Sequence, residues 1–470
     1  MKKLTPVQKV PDLSRLKCLR CNHPLKKAGF TMHAIICSHC GTSYPLIGRL
    51  PALFSQPEEA LAATYISYVR FESEQQRLIS DLDRQMKTNR QRAQLNRRLK
   101  EAIKQNLSVI DTVRLALEPL VSSRSVASVS SQNVLAYSTS LNYLRRDWCG
   151  LPECEHEIRI IRDTLATMLN DSLQDRDLAV FMGAGMGRIA WEFSHIFGQS
   201  VAIDNSIAMG FNFYRLQQEP LSFYEVNTKR VFCTEDMVRA LEARIPPSGP
   251  TAPEILYIAG NALDTPLPDA SVSSVVSVYF TDVFPLRMYL KEIRRILKPG
   301  GLFIHFGPLE YHFEETADML SAEEIRTVFE SAGFDILKDE AVHTTNLESA
   351  VSMLSVQYQN WFFAARRRTT SAPGHRLMLH PEVTYTRKAP VYPPESEEEL
   401  YVTDPSGQKH LITPAVLALL QLIDGTTSAE ELIRKFRQKY HTDAAQENRI
   451  RSVLDTFTAA GIITTAAPPL

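Results

Sequence analysis

Residues 178–193 read Leu-Ala-Val-Phe-Met, then Gly183-Ala-Gly185-Met-Gly187-Arg188, then Ile-Ala-Trp-Glu-Phe, and no other run constrains the fold as strongly. The five apolar residues make a buried strand, the glycines a turn, and the apolar face beyond them a helix. Glycine lets the turn's backbone pass close to a bound group and present it to a helix N-terminus. Gly183, Gly185 and Gly187 are therefore candidate cofactor contacts. Arg188 is another, because a guanidinium fork suits a carboxylate. A second strand, Ser200-Val-Ala-Ile203, ends in Asp204-Asn205, about twenty residues after the first glycine. An acid there accepts hydrogen bonds from ribose hydroxyls. Taken alone, this pattern is shared with nicotinamide and flavin enzymes.

The later sequence separates these possibilities. A β-branched strand over 275–279 is followed by a helix over 286–297, then Lys298-Pro-Gly-Gly301, then an apolar strand over 302–306. Helix, Leu-Lys-Pro-Gly-Gly and strand together resemble the late part of the doubly wound, Rossmann-like class I methyltransferases that use S-adenosylmethionine. The resemblance narrows to the carnosine N-methyltransferase family over about residues 137–367. It rests on Arg145-Arg-Asp-Trp148 upstream, Gly183-Ala-Gly-Met-Gly-Arg-Ile-Ala-Trp-Glu192, Phe280-Thr-Asp282 and Gly307-Pro-Leu-Glu-Tyr-His-Phe313. Ala259-Gly-Asn261 stands where that family has an aspartate.

The resemblance implies methyl transfer from S-adenosylmethionine to an imidazole nitrogen. It assigns Asp282 to accept the ring N–H and His312 to hold the ring or take up a proton. Tyr358 falls where the family has one of several tyrosines. Arg146 is a second candidate for the cofactor carboxylate, and Asn205 and Asn261 for its nucleoside. Neutral imidazole has one N–H and one lone pair, so a carboxylate on the N–H leaves the other nitrogen free to attack.

Four of the seven cysteines lie near the N-terminus as two pairs, Cys18-Leu-Arg-Cys21 and Cys37-Ser-His-Cys40, fifteen residues apart. Two such knuckles supply four thiolates, a closed structural zinc site with no open position for chemistry. With Tyr44-Pro-Leu-Ile-Gly-Arg-Leu-Pro51 after them, they resemble the small zinc ribbons of the Trm112 type. Residues 84–104 hold eight Lys/Arg, a run that reads as a solvated helix face. The Ser-rich stretch 121–132 reads as a linker.

Behind the catalytic region, 368–397 is proline-rich and polar, a linker. Beyond it, strands at 400–403 and 409–412 flank Asp404-Pro-Ser-Gly407, and helices follow at 414–423, 429–440 and 446–460, with a short strand near 462–464. This order resembles the PqqD-type winged helix, a recognition element for ribosomally made peptides, which implies that a leader peptide adds as a strand to its sheet.

The expected organisation is thus a zinc ribbon (1–57), a helical region and linker (58–136), the methyltransferase domain (137–367), a linker (368–397) and a winged-helix domain (398–470). The expected function is methylation of a histidine imidazole in a peptide or protein recruited by the tail. Two alternatives are a small imidazole such as a histidyl dipeptide as acceptor, and a nucleic-acid-associated protein or RNA methyltransferase. A formal net charge of −1 counts against nucleic acid, which leaves a basic footprint on its partners. No apolar run is long enough to span a membrane, and no signal peptide is apparent, so a cytoplasmic protein is expected. Oligomeric state is not legible.

Overall fold

The apolar run at 178–182 forms strand β5 (Leu178–Met182), buried at every position. A computed structural model of the chain describes residues 12–31, 33–122, 138–247, 255–369, 376–388, 399–424, 427–440 and 444–466. Most of the expected Ser-rich linker and the proline-rich stretch 389–394 lie outside them. Contacts divide the chain into two units, Met1–Arg367 and Arg368–Leu470.

The first unit is built on one sheet. Its centre comprises β5, β6 (Gln199–Asp204), β9 (Ile255–Gly260), β10 (Val272–Val278), β11 (Leu297–Gly307), β12 (Phe334–Thr345) and β13 (Gln357–Arg367) in the order β9-β6-β5-β10-β11-β13-β12. Neighbours from β9 to β11 run parallel, whereas β13 is antiparallel to both β11 and β12. This is the class I methyltransferase order, and the chain reverses direction across the sheet between β5 and β10. Ligands of doubly wound sheets bind at such a switch point, beyond the carboxyl ends of the strands. Apolar layers cover both faces of the sheet, the condition under which parallel strands read as continuous hydrophobic runs.

The helices follow their sequence signals. Ser321 accepts from Glu324 N and the Glu324 side chain returns to Ser321 N, a capping box at the start of α8 (Ala322–Ser331). Helix α7 (Leu286–Ile296) ends one residue before the expected limit, because Leu297 already pairs with Val272. The Lys298–Gly301 turn becomes a bulge between the pairs Val272↔Leu297 and Ser274↔Leu302.

The cysteine-bearing segment does not stand apart. Its strands β1 (Gly29–Phe30), β2 (Ala34–Ile36), β3 (Ser43–Ile47) and β4 (Leu50–Leu53) extend the same sheet, with β4 parallel to β9 through Ala52↔Ala259 and Leu53↔Gly260. A short buried strand finds backbone partners at an open sheet edge, and pattern alone does not reveal which edge. The helical region is a long hairpin, α1 (Pro57–Thr88) and α2 (Ala93–Leu117), packed on a two-stranded ribbon of β7 (Leu221–Val226) and β8 (Val238–Ala243). Within the basic run, Lys100 pairs with Asp83 at 2.6 Å and Arg98 donates to the carbonyls of Glu235 and Val238.

The second unit has its own core, including Leu400, Val402, Leu420, Leu432, Ile433 and Phe436. A three-stranded sheet, β15 (Thr384–Lys388), β16 (Glu399–Thr403) and β17 (Lys409–Ile412), precedes helices α9 (Pro414–Leu420), α10 (Ala429–Tyr440) and α11 (Ala444–Ala459). Strand β18 (Ile463–Ala466) pairs with β14 (Arg376–Leu379). Among the described residues, no helix is long and apolar enough to cross a membrane.

Candidate active site

At the end of β5 the chain turns through Gly183, Gly185 and Gly187, all with positive φ (62°, 53° and 78°). A Cβ on Gly183 would meet the Phe280 ring at 2.5 Å, and one on Gly187 would meet Phe213 of helix α6 (Ile207–Leu216) at 2.7 Å. At Gly185 a Cβ would meet nothing within 4 Å, so that face of the turn is open. Gly185 N–H donates to Asp204 Oδ2 and Ser206 N–H to Asp204 Oδ1, both at 2.8 Å. Burial pushes Asp204 up to about 6, against those two N–H groups, which favour the carboxylate. Asn205, beside it, is exposed.

The Arg145-Arg-Asp-Trp148 motif closes helix α3 (Ser138–Trp148), and Trp148 Nε1 donates to Met186 O at 2.9 Å, tying that helix to the glycine turn. Arg146 Nε donates to Asp147 at 2.6 Å, and its guanidinium lies over the Tyr143 and Tyr279 rings at 5.0 and 5.9 Å. Arg188 is held differently. It pairs through two nitrogens with Glu155 at 2.9 Å, through Nε with Glu192 at 2.8 Å, and also donates to the Asp147 carbonyl. These partners make Arg188 a clamp between the start of α5 (Arg188–Phe193), α4 (Pro152–Asp171) and the end of α3. The motif marked it as a candidate for the cofactor carboxylate; its carboxylate partners here are Glu155 and Glu192, scattered residues that carried no signal.

Asn261 lies just beyond β9 and its side-chain oxygen accepts from Leu263 N at 2.9 Å, so it shapes its own loop. Glu292 of α7 braces that loop, accepting from Thr265 N at 2.8 Å and pairing with Arg295 at 2.6 Å.

The residues expected to perform chemistry gather where β10 and β11 end. Asp282, 4% exposed, follows β10. Burial raises its pKa; the His312 side chain and nearby backbone N–H groups pull the other way. His312 is exposed, and its backbone N–H donates to the Asp282 carbonyl at 3.1 Å. Tyr358, near the start of β13, donates to Glu310 at 2.9 Å, with its ring 6.3 Å from that of Tyr279. Tyr279 takes φ +54°, an unusual conformation for an aromatic residue, and its hydroxyl meets Thr344 at 3.2 Å.

Sequence reasoning missed two groups. His305, fully buried in β11, has Nε2 3.2 Å from the Gly307 carbonyl and Nδ1 2.7 Å from Thr281 Oγ1. A carbonyl only accepts, so Nε2 carries the hydrogen and Nδ1 accepts from Thr281, whose oxygen accepts from Ser277 at 2.8 Å. Burial lowers His305 to about 4, keeping it neutral, and this chain fixes Thr281 beside Asp282. Its signal was a histidine inside an otherwise apolar strand. Glu157 of α4, also fully buried, is pushed up to about 7 by burial and carried no signal at all.

Apart from this site, Cys18 and Cys40 approach to 3.7 Å, as do Cys21 and Cys37, and all four sulfurs lie within 4.8 Å of one another. Tyr44 accepts from Leu19 N at 2.9 Å and contacts Cys18 Sγ at 3.1 Å.

A protein-family model described as Carnosine N-methyltransferase matches residues 123–369. The carnosine N-methyltransferase of Rattus norvegicus is 26% identical over 251 residues, 49% of this chain and 62% of the rat protein. That of Schizosaccharomyces pombe is 24% identical over 316 residues, 57% of this chain and 82% of the yeast protein. Among solved structures, the magnesium protoporphyrin IX methyltransferase of Synechocystis is 14% identical with a TM-score of 0.32, covering 49% of this chain and 92% of that one.

Proposed function

Because the chain belongs to the carnosine N-methyltransferase family, we propose that it methylates an imidazole nitrogen of histidine, in a peptide or protein, with S-adenosylmethionine as donor. The observation that carries this reading is the buried Asp282 carboxylate beside His312 at the sheet's switch point. S-adenosylmethionine supplies an electrophilic methyl group on a sulfonium. The open face at Gly185, the Asp204 carboxylate and the exposed Asn205 suit its adenosine, and Arg146 suits its carboxylate.

Asp282 accepts the N–H of the acceptor ring and so selects the tautomer whose free lone pair forms the new N–C bond. The ring gains positive charge as that bond forms, and the same carboxylate stabilises it in a site of low dielectric. His312, exposed beside Asp282, relays the released ring proton to solvent. Tyr358, held by Glu310, closes one side of the acceptor site, and Tyr279 stands beside it.

The four N-terminal cysteines form a structural zinc site in this reading. Zinc–sulfur bonds of about 2.3 Å place tetrahedral sulfurs roughly 3.8 Å apart, close to the 3.7 Å of both approaching pairs. The second unit serves as a winged-helix element that recruits the substrate peptide. Its edge strands β15 and β17 expose Tyr385 (43%) and Leu411 (67%), a surface on which an added strand would find backbone and apolar partners.

Mass spectrometry with labelled donor, offering histidine-containing peptides, histidyl dipeptides and an RNA mixture together, tests the assignment. The expected product is a methylated peptide histidine, formed at least ~100-fold more slowly by Asp282→Ala. Label on the dipeptide alone would move the acceptor to a small imidazole, and label on RNA would defeat the imidazole reading.

A further inference from the structure

Asp282 and His312 stand on different loops, one leaving β10 and the other leaving β11, and a single buried imidazole is bonded to the root of each. His305 Nδ1 accepts from Thr281, the residue before Asp282, at 2.7 Å. Its Nε2 donates to the carbonyl of Gly307, where β11 ends and the segment carrying His312 begins, at 3.2 Å. The neutral ring has one donor and one acceptor, and each is given to a different loop.

The Thr281 hydroxyl is equally committed. It has one hydrogen and two lone pairs. The hydrogen goes to His305, while the hydroxyls of Ser277, at 2.8 Å, and Tyr289 meet its acceptor side. All four residues are buried, so without the ring Thr281 would keep a buried donor unmade, at the cost of its desolvation.

The spacing of the two loops sets the Asp282 carboxylate. Backbone N–H groups of Asp282 and of Glu310, in the second loop, meet that carboxylate. In return, the His312 backbone N–H donates to the Asp282 carbonyl at 3.1 Å. Both contacts between the loops depend on where their roots are held. We propose that His305 is a positioning residue for methyl transfer, tying the loop of Asp282 to the loop of His312 and so holding the carboxylate at the angle the acceptor ring requires. This rests on the imidazole reading above and extends it to a side chain with no reacting atom.

Turnover with labelled S-adenosylmethionine, on a panel of histidine-containing peptides and histidyl dipeptides, is measured beside calorimetry with S-adenosylhomocysteine. His305→Leu keeps the site apolar and loses both bonds; kcat should fall at least ~10-fold, because small misplacements of a reacting group are costly. Affinity for S-adenosylhomocysteine should stay within about twofold, since the donor side is untouched. Thr281→Val, close to threonine in shape, should also lower kcat, and the double variant should cost no more than His305→Leu alone, because both remove one shared bond. His305→Asn, whose amide oxygen accepts in place of Nδ1, should recover most of the turnover. Losses that multiply in the double variant, an unchanged kcat, or an equal fall in S-adenosylhomocysteine affinity would overturn the positioning role and leave His305 to packing. Wild-type protein that methylated no imidazole would overturn it together with the reading it rests on.

Discussion

Asp204 illustrates how one residue's environment sets its usefulness. Its two oxygens accept backbone N–H groups from Gly185 and Ser206, yet burial still lifts its pKa to about 6. A carboxylate accepts ribose hydroxyls with both oxygens, whereas protonation turns one oxygen into a donor and removes the charge that strengthens the bonds. Because the pKa is raised, the competent form dominates above about 6 and is lost below it. Affinity for S-adenosylhomocysteine should therefore fall as pH drops from about 7.5 to about 5, approaching tenfold per unit below the pKa. Asp204→Asn should be weak and flat over the same range. A flat wild-type profile, measured by calorimetry, would remove Asp204 from the site. Arg188 shows the opposite outcome, a conspicuous residue whose fork is taken by Glu155.

At the scale of elements, the cysteine strands matter because β4 is hydrogen-bonded into the core sheet at β9. Losing the proposed metal would then disturb more than a small appendage, since a structural ion contributes its binding free energy to folding. We expect about one zinc per chain, with Cys18→Ser lowering both zinc content and the unfolding temperature of the first unit by several degrees. Metal analysis and thermal unfolding check this. A Cys18→Ser protein as stable as wild type would make the metal dispensable to the sheet.

For the whole molecule, the two units have separate cores, so they can divide the labour of binding and chemistry. A recruiting module raises the effective concentration of the segment to be modified, and its removal loses that gain without touching the reacting atoms. Deleting residues 396–470 should lower kcat/KM for a peptide carrying its leader at least ~10-fold while leaving turnover of a histidyl dipeptide intact. Peptide turnover unaffected by the deletion would give the second unit a different role.

The sequence by itself determined the elements whose residues speak locally. Continuous apolar runs became the inner strands, the glycines became the tight turn after β5 because they adopt positive φ, and Ser321 with Glu324 capped α8. Asp282 and His312 stood out as candidates for a related reason, since each sits in a short distinctive motif, whereas Tyr358 was a candidate through the family resemblance alone. The tertiary structure alone decided what depends on partners distant in the chain. It joined β4 to β9 across some two hundred residues, engaged Arg188 with Glu155 and set Thr281 against His305. It also set Arg146 against Glu157 in a buried ion pair. Local pattern reports burial and backbone preference, whereas the pairing of a buried charge or a sheet edge is settled only when folding brings remote segments into one low-dielectric space.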